Sequence, residues 1–366
     1  MISVLYFLIA VLVIAFMIFI HELGHYTAGM LLGFKILDFS IGFGPAIFKF
    51  KKKDITYALR SIPLGGACRF YGEEDDKIDD AVAFNSQKPW KRLIVYFAGP
   101  FMNLVLAYVL AVIMMVSFGS REIRAYSNGN YAITINEVTA GSPADKAGIK
   151  EGDVILSIGD TDVVNAPESY EDKTDAISKA IVSAPKEGVK MTVQRGEDNV
   201  DLFVSDIYNE KENRNFLGIT MGYAEYFVPY GFFESLGKAG GFLVDVVVQT
   251  YKAITGGFKY GFKAGDVSGI VGTVAITMKM ASMGLYYLLL VMALISMSLG
   301  IMNLLPILPM DGGHLLFDFI ELIAGKPVPR KIQTVLSLIG VGLIIVLFVF
   351  ATIGDIKGLF SGLFNF

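Results

Sequence analysis

The stretch Val4–His25, VLYFLIAVLVIAFMIFIHELGH, decides the fold. A membrane-spanning helix needs about 20 mainly apolar residues, and this run supplies them. No basic segment precedes it and no small-residue cleavage site follows Ile20, so it reads as an uncleaved span rather than a secretory leader. At its end stand His21, Glu22 and His25, three ionisable residues within five. Such groups are costly at membrane depth and demand partners.

Three more runs have spanning length, from about Leu93 to Phe118, Gly284 to Leu305 and Thr334 to Ile353. Lys and Arg in the flanks set the expected orientation. The connection between the first two spans carries ten, among them Lys49, Lys51, Lys52, Lys53, Arg60 and Arg92, and that between the last two carries Lys326, Arg330 and Lys331. Both are therefore expected on the cytoplasmic side, with both termini and everything between spans two and three outside. The whole chain agrees with a membrane protein. Of its 366 residues, 54% are hydrophobic and 18% charged, against about 25% charged in soluble domains. Disorder, a collagen-like fibre and a simple soluble enzyme are excluded. The net charge of −4 comes with no basic stripe for nucleic acid. The single cysteine, Cys68, excludes an intrachain disulfide framework.

Between the spans the periodicity changes. Ile55, Tyr57 and Leu59 alternate with Thr56, Ala58 and Arg60, and Gly42, Gly44-Pro45 and Gly65-Gly66 supply turns. A β-hairpin or small sheet near the cytoplasmic face is expected, followed by an acidic solvated loop at 73–80. Residues 122–225 have soluble composition, with strands expected at Ala132–Val138, Asp153–Ile158, Val189–Arg195 and Val200–Ser205, a short helix at Pro143–Ala147 and a longer one at Glu168–Ser183. Phe232–Phe262 reads as an amphipathic helix lying in the membrane interface. The expected divisions are 1–118, 122–225, 226–283 and 284–366.

The chemistry gathers around His21-Glu22-Leu23-Gly24-His25. On a helix, residues i and i+4 share a face about 5–6 Å apart, so two imidazoles can share one tetrahedral Zn²⁺ with bonds of about 2.0–2.1 Å. Glu22 lies about 100° further round and can reach a water at the metal without ligating it. Zinc brings that water's pKa towards about 7 and the carboxylate completes deprotonation. A third ligand is expected, and Asp311 is the favoured candidate over His314. It lies just after span three in Asn303-Leu-Leu-Pro306-Ile-Leu-Pro309-Met-Asp311-Gly-Gly-His314, where prolines deny a regular helix. The competing reading of Asp311 is a helix cap. Asn103, three residues after Pro100, and Asn303 each offer a buried amide, either to a substrate carbonyl or oxyanion or as a hydrogen bond between helices.

These residues resemble the site-2 protease family of intramembrane zinc metalloproteases: HELGH on span one, Gly99-Pro100-Phe-Met-Asn103 on span two and the late Asp311-Gly-Gly. The closer likeness is to the bacterial PDZ-containing branch typified by the regulator of sigma-E protease. The resemblance implies that His21, His25 and Asp311 bind zinc, that Glu22 activates water, and that Asn103 and Asn303 contact substrate. Ile62-Pro63-Leu64-Gly65-Gly66 resembles the family's edge-strand motif, and we expect Gly65, Gly66, Ala67 and Cys68 to meet an unwound substrate. Met310, Leu308 and Ile270 depart from residues common in the family. Gly141-Ser-Pro-Ala144 and Gly152-Asp-Val-Ile155 resemble a bacterial PDZ domain. Phe216, Leu217, Gly218 and Ile219 resemble its peptide carboxylate loop, at the end of the module as in a circular permutant. Such a domain could instead act as a steric filter. The implied protein is a multi-pass α-helical membrane protein with four transmembrane helices, a membrane-associated β-hairpin or sheet and an inserted α+β PDZ domain. It would be a zinc endopeptidase of the bacterial cytoplasmic membrane, cleaving single-span membrane proteins in regulated intramembrane proteolysis, such as anti-sigma-factor-like regulators already trimmed by a site-1 protease and signal-peptide remnants. The rival is a non-catalytic zinc-binding scaffold or metal transporter. No internal repeat of the transporter kind is present, and Glu22 has no place in a closed four-ligand structural site.

Overall fold

A computed structural model of the protein describes residues 2–73, 80–126, 128–166, 170–210, 213–260 and 268–360. Most of the acidic stretch at 73–80, residues 168–169 of the expected 168–183 helix, and residues 265–267 of the glycine-rich Gly265–Gly272 element lie outside the described residues. The chain forms two units, Met1–Ser117 with Tyr230–Phe366, and Phe118–Pro229.

The first unit opens with α1 (Ile2–Leu31), which continues past the HExxH motif. Strands β1 (Ile36–Lys52) and β2 (Ile55–Phe70) follow. Ile36–Ile41 of β1 is flanked on one side by Gly66–Phe70 and on the other by Thr56–Leu59, while Ala46–Lys52 pairs with Ile55–Arg60. The alternation read at Ile55–Arg60 is therefore that of a real strand, and Gly66–Phe70 forms an outer strand. One face of this sheet packs Phe34, Ile36, Phe39, Ile55 and Phe70 against Phe84 and Val95, so the sheet rests on the end of α1 and the start of the next helix. That helix, α2 (Pro89–Ser117), runs without interruption through Pro100.

The second unit begins with β3 (Ser120–Ile123) and β4 (Ile133–Val138). Then come α3 (Pro143–Lys146), β5 (Val154–Ile158), β6 (Thr161–Asp162) and α4 (Tyr170–Ser183). It closes with β7 (Gly188–Arg195), β8 (Asp198–Ser205), β9 (Tyr208–Asn209), β10 (Arg214–Asn215), β11 (Ile219–Tyr223) and β12 (Glu225–Val228). The main sheet has the order β11-β4-β5-β7-β8, with β6 on β5. Ile133, Ile135, Ile155, Ile158, Ile177 and Met191 are fully buried at its centre. Ser142 caps α3 by accepting from the Asp145 N–H, with Pro143 in the first turn. The sequence reading missed the β3–β12 ribbon, which joins the two ends of the unit. Its four-residue strands, mixed in polarity, carry no clear period.

The chain then re-enters the first unit through α5 (Phe232–Tyr260), α6 (Ile270–Ser282), α7 (Leu285–Asn303), α8 (Asp311–Ala324) and α9 (Arg330–Phe360). Among the described residues, four helices are long and apolar enough to cross a membrane: Ser3–Leu31, Pro89–Ser117, Leu285–Asn303 and Arg330–Lys357. α5 rests on α2 and α7 through Phe242, Leu243 and Val246, and the Tyr108 hydroxyl donates to the Leu236 carbonyl. The Asp355 carboxylate of α9 accepts from the N–H groups of Gly269 and Gly272 at the start of α6, where helix N–H groups have no partner of their own. Arg92 ties α2 to α8. Its guanidinium donates to Asp318 at 2.8 Å and to Glu321, and to the Asn85 carbonyl at 2.8 Å.

Arg92 is 5% exposed and Asp318 8%, so removal of the arginine would leave a buried carboxylate without its cation. Breaking a buried ion pair in this way costs about 3–5 kcal/mol. Arg92→Leu should therefore lower the unfolding stability of the detergent-solubilised chain by that order, measured by chemical denaturation. The doubly neutral Arg92→Leu/Asp318→Leu variant should recover part of the loss.

Candidate metal centre

Three elements from distant parts of the sequence meet at one point. α1 contributes His21 and His25 from adjacent turns. The first turn of α8 contributes Asp311, after Leu304–Met310 has broken the helical run of α7. The helix-cap reading of Asp311 fails on position, because the cap is Met310 and Asp311 is the first residue of the helix. One ligand atom each from His21, His25 and Asp311 lies within 4.8 Å of the others. The two Nε2 atoms are 3.2 Å apart. Asp311 Oδ2 lies 3.2 Å from His21 Nε2, and Oδ1 lies 3.5 Å from His25 Nε2. Tetrahedral bonds of about 2.0–2.1 Å imply donor separations of about 3.3 Å, so the two imidazoles stand at the spacing for one ion, and the Asp311 carboxylate meets each of them with a different oxygen at close to that distance. Two imidazoles and one carboxylate leave a fourth position open, as catalytic zinc sites do.

Glu22 is buried beside this triangle, and its carboxylate accepts from the backbone N–H of Cys68 on the outer strand of the sheet. Gly66, two residues earlier, makes the approach possible: a Cβ there would lie 2.6 Å from Glu22 Cγ. Gly65, just before it, holds a left-handed φ of +77°. Burial pushes the Cys68 thiol above its ordinary range. The next outward N–H on that strand, Phe70, donates to Glu73.

α2 supplies the support. The Val95 carbonyl accepts from His25 Nδ1 at 2.8 Å. The Asn103 carboxamide, 1% exposed, lies 3.4 Å from His21 Nδ1. Gly24 and Gly99 let the two helices touch. A Cβ on Gly24 would run into the Ala98 carbonyl, and one on Gly99 would fall on the His25 ring. Sequence reasoning passed over both glycines, although each sits inside a quoted motif. His314 is not among the donors. It stacks on Tyr96, with ring centroids 4.7 Å apart, and burial holds its imidazole below the ordinary pKa. It faces a cavity of about 600 Å³ lined also by Glu73, Arg92, Tyr96, Asp318 and Glu321. There burial outweighs Arg92 and raises the Asp318 carboxyl to about 6. Asn303 closes α7 half-buried, and among the described residues no hydrogen bond joins its side chain to the triangle. In the second unit, Gly218 takes a left-handed φ of +79° directly after a 40% exposed Phe216 and a buried Leu217. The Leu217 and Gly218 carbonyls accept from Ala144 and Thr139, and Ile219 begins β11.

The family model for peptidase family M50 matches residues 9–347, which include the whole metal centre. The chain belongs to peptidase family M50. Its relatives agree over nearly their full length. A Clostridium acetobutylicum protein that carries a zinc metalloprotease name is 32% identical over 353 residues, covering 95% of this chain and 96% of the relative. A Campylobacter jejuni protein of the same name type is 32% identical over 96% of this chain and 93% of its own. The regulator of sigma-W protease RasP of Bacillus subtilis is 28% identical over 96% of this chain and 98% of its own. This M50 peptidase is a zinc metalloprotease of the membrane, and Zn²⁺ is its cofactor. The donor set suits that ion.

The glycine contact makes a specific prediction. Gly99→Ala should displace the His25 ring and cut zinc content per chain severalfold, measured by elemental analysis of the purified protein. An alanine at Gly237, where nothing lies within 4 Å of the added Cβ, should leave zinc content at the parental value.

Proposed function

We propose that this chain hydrolyses peptide bonds of single-span membrane proteins at membrane depth, using His21, His25 and Asp311 as zinc ligands and Glu22 as general base. The observation that carries this reading is the cluster of two imidazole nitrogens 3.2 Å apart with the Asp311 carboxylate oxygens 3.2 and 3.5 Å from them, and a non-ligating carboxylate beside it. Zinc, when bound, supplies a Lewis acid that polarises a carbonyl and acidifies water. Glu22 takes the proton from the attacking water and delivers it to the leaving amine. His25 is held by the Val95 carbonyl and keeps its ring fixed through the cycle.

A helical substrate hides its carbonyls, and unwinding it in lipid leaves backbone groups unsatisfied at several kcal/mol each. Strand addition replaces those partners. The outer strand Gly66–Phe70 runs beside Glu22 and is the fitting place, through Gly65, Gly66, Ala67 and Cys68. The Cys68 N–H, now given to Glu22, would pass to the substrate as Glu22 turns to water. Asn303 then holds a substrate carbonyl. The basic connections give the orientation: metal centre towards the cytoplasm, both termini and residues 118–229 outside, in a bacterial cytoplasmic membrane. We read residues 122–225 as a circularly permuted PDZ domain, with Phe216–Ile219 as its carboxylate loop, that binds or screens incoming chains. The name of the Bacillus relative ties that protein to sigma-W regulation. We extend the class to this chain: membrane-anchored regulators cut after a first extracytoplasmic cleavage, and signal-peptide remnants.

Glu22→Gln should retain zinc and lose about 10²–10⁴-fold in turnover, the range that a general base contributes. Zinc content and cleavage of a fluorogenic single-span substrate in detergent decide this. Loss of metal together with turnover would count against the general-base role. Orientation has its own test. Single cysteines at Lys52 and Gly325, in a Cys68→Ser background, should resist an impermeant maleimide in intact cells, while one at Asn199 should label. The reverse pattern would place the metal centre on the opposite side.

A further inference from the structure

Zinc binding through Nε2 requires the lone pair on that nitrogen, so a neutral histidine ligand carries its proton on Nδ1. The Nδ1–H then needs an acceptor. For His25 the acceptor is fixed, because the Val95 carbonyl at 2.8 Å can only accept. For His21 the neighbour is the Asn103 carboxamide, whose nitrogen lies 3.4 Å from Nδ1. A carboxamide has a donor end and an acceptor end of nearly the same shape. With its nitrogen towards His21, Asn103 donates to a bare Nδ1, the proton sits on Nε2, and no lone pair faces the metal position. With the amide turned by half a revolution, Oδ1 accepts from Nδ1–H and the Nε2 lone pair faces His25 Nε2 and Asp311. Hydrogen-bond counting does not choose between the two. Oδ1 is buried and has no partner in the first orientation, and the amide nitrogen would take its place in the second. The histidine's proton chooses.

We propose that Asn103 is a positioning residue for the metal: its Oδ1 accepts from His21 Nδ1–H in the zinc-bound chain, and the orientation of its amide is coupled to zinc occupancy. The inference rests on the reading of His21 as an Nε2 ligand. The backbone around Asn103 is pinned for this task, since Ser296 on α7 donates to the Asn103 carbonyl at 2.8 Å. Val95 and Asn103 lie eight residues apart on the buried face of α2 and serve histidines one turn apart on α1. One helix thus holds both imidazoles by the nitrogen remote from the metal. With Oδ1 accepting from His21, the Asn103 oxygen is committed to the histidine and its NH2 is the end left to donate elsewhere.

The test uses the full-length chain in detergent and measures zinc affinity by competition with a chromophoric chelator, without substrate. Asn103→Asp keeps an acceptor of the same shape and should bind zinc within about threefold of the parent or more tightly. Asn103→Leu and Asn103→Ala remove the acceptor and should weaken zinc about 10–100-fold, the range for lost partners of ligand histidines. In the Co²⁺-loaded protein, Asn103→Asp should preserve the tetrahedral visible bands, and Asn103→Ala should shift or flatten them. Parental zinc affinity in Asn103→Ala overturns the proposal and returns Asn103 to a substrate contact. A loss in Asn103→Asp of more than tenfold also overturns it, since an acceptor would then be insufficient. His21→Ala serves as the separate check. If that variant binds zinc as the parent does, the metal-centre reading falls and not merely the role of Asn103.

Discussion

The structure turns on the close approach of α1 and α2 at Gly24 and Gly99. Lipid tails are as apolar as leucine, so nothing hydrophobic drives two such helices together, and close backbone contact between small residues takes over. Here that contact has a chemical result. With no side chain at Gly99, the His25 ring occupies the space a Cβ would need, and its Nδ1 reaches the Val95 carbonyl. The two glycines thus do for the imidazole what a pocket does in a soluble enzyme: they fix its place and leave its free nitrogen pointing at Asp311.

From that contact one stripe of α2 organises the unit. Arg92, Val95, Tyr96, Gly99 and Asn103 recur at helical spacing on its buried side. Arg92 grips Asp318 and Glu321, two and three turns into α8, and so sets the helix that begins with Asp311. Tyr96 stacks on His314 of the same helix. The polar residues that the bilayer makes costly are thereby spent on one another. Among the described residues, His21 and His25 meet partners on α2 and α8, Glu22 meets the outer strand of the sheet, and Asp311 meets the two histidines of α1.

Much of this was legible in the sequence. The four apolar runs announced themselves by length, and HExxH at the end of the first announced a site by its cost. Asp311 was legible because prolines at 306 and 309 made a regular helix impossible where a carboxylate stood. Other parts were hidden for physical reasons. Arg92 read as one more positive residue in a basic connection, because a buried ion pair has no local signature. Val95 acts through its carbonyl, which every residue possesses. Gly24 and Gly99 act by what they lack. The β3–β12 ribbon depends on two segments about a hundred residues apart and too short to show a period. Short-range patterns gave the elements, while the contacts that hold them came from sequence separations that no local pattern encodes.

The order of the donors along the chain has a consequence for synthesis. His21 and His25 leave the ribosome about 290 residues before Asp311, with the whole of residues 118–229 in between. At about 5–20 residues per second, the histidines wait on the order of 15–60 s for the carboxylate that completes the triangle. Until then the donor set is incomplete, so α1, α2 and α7 are all made before the third donor exists. Chain order alone therefore keeps the three donors from meeting until α8 and α9, the last two helices, are being made.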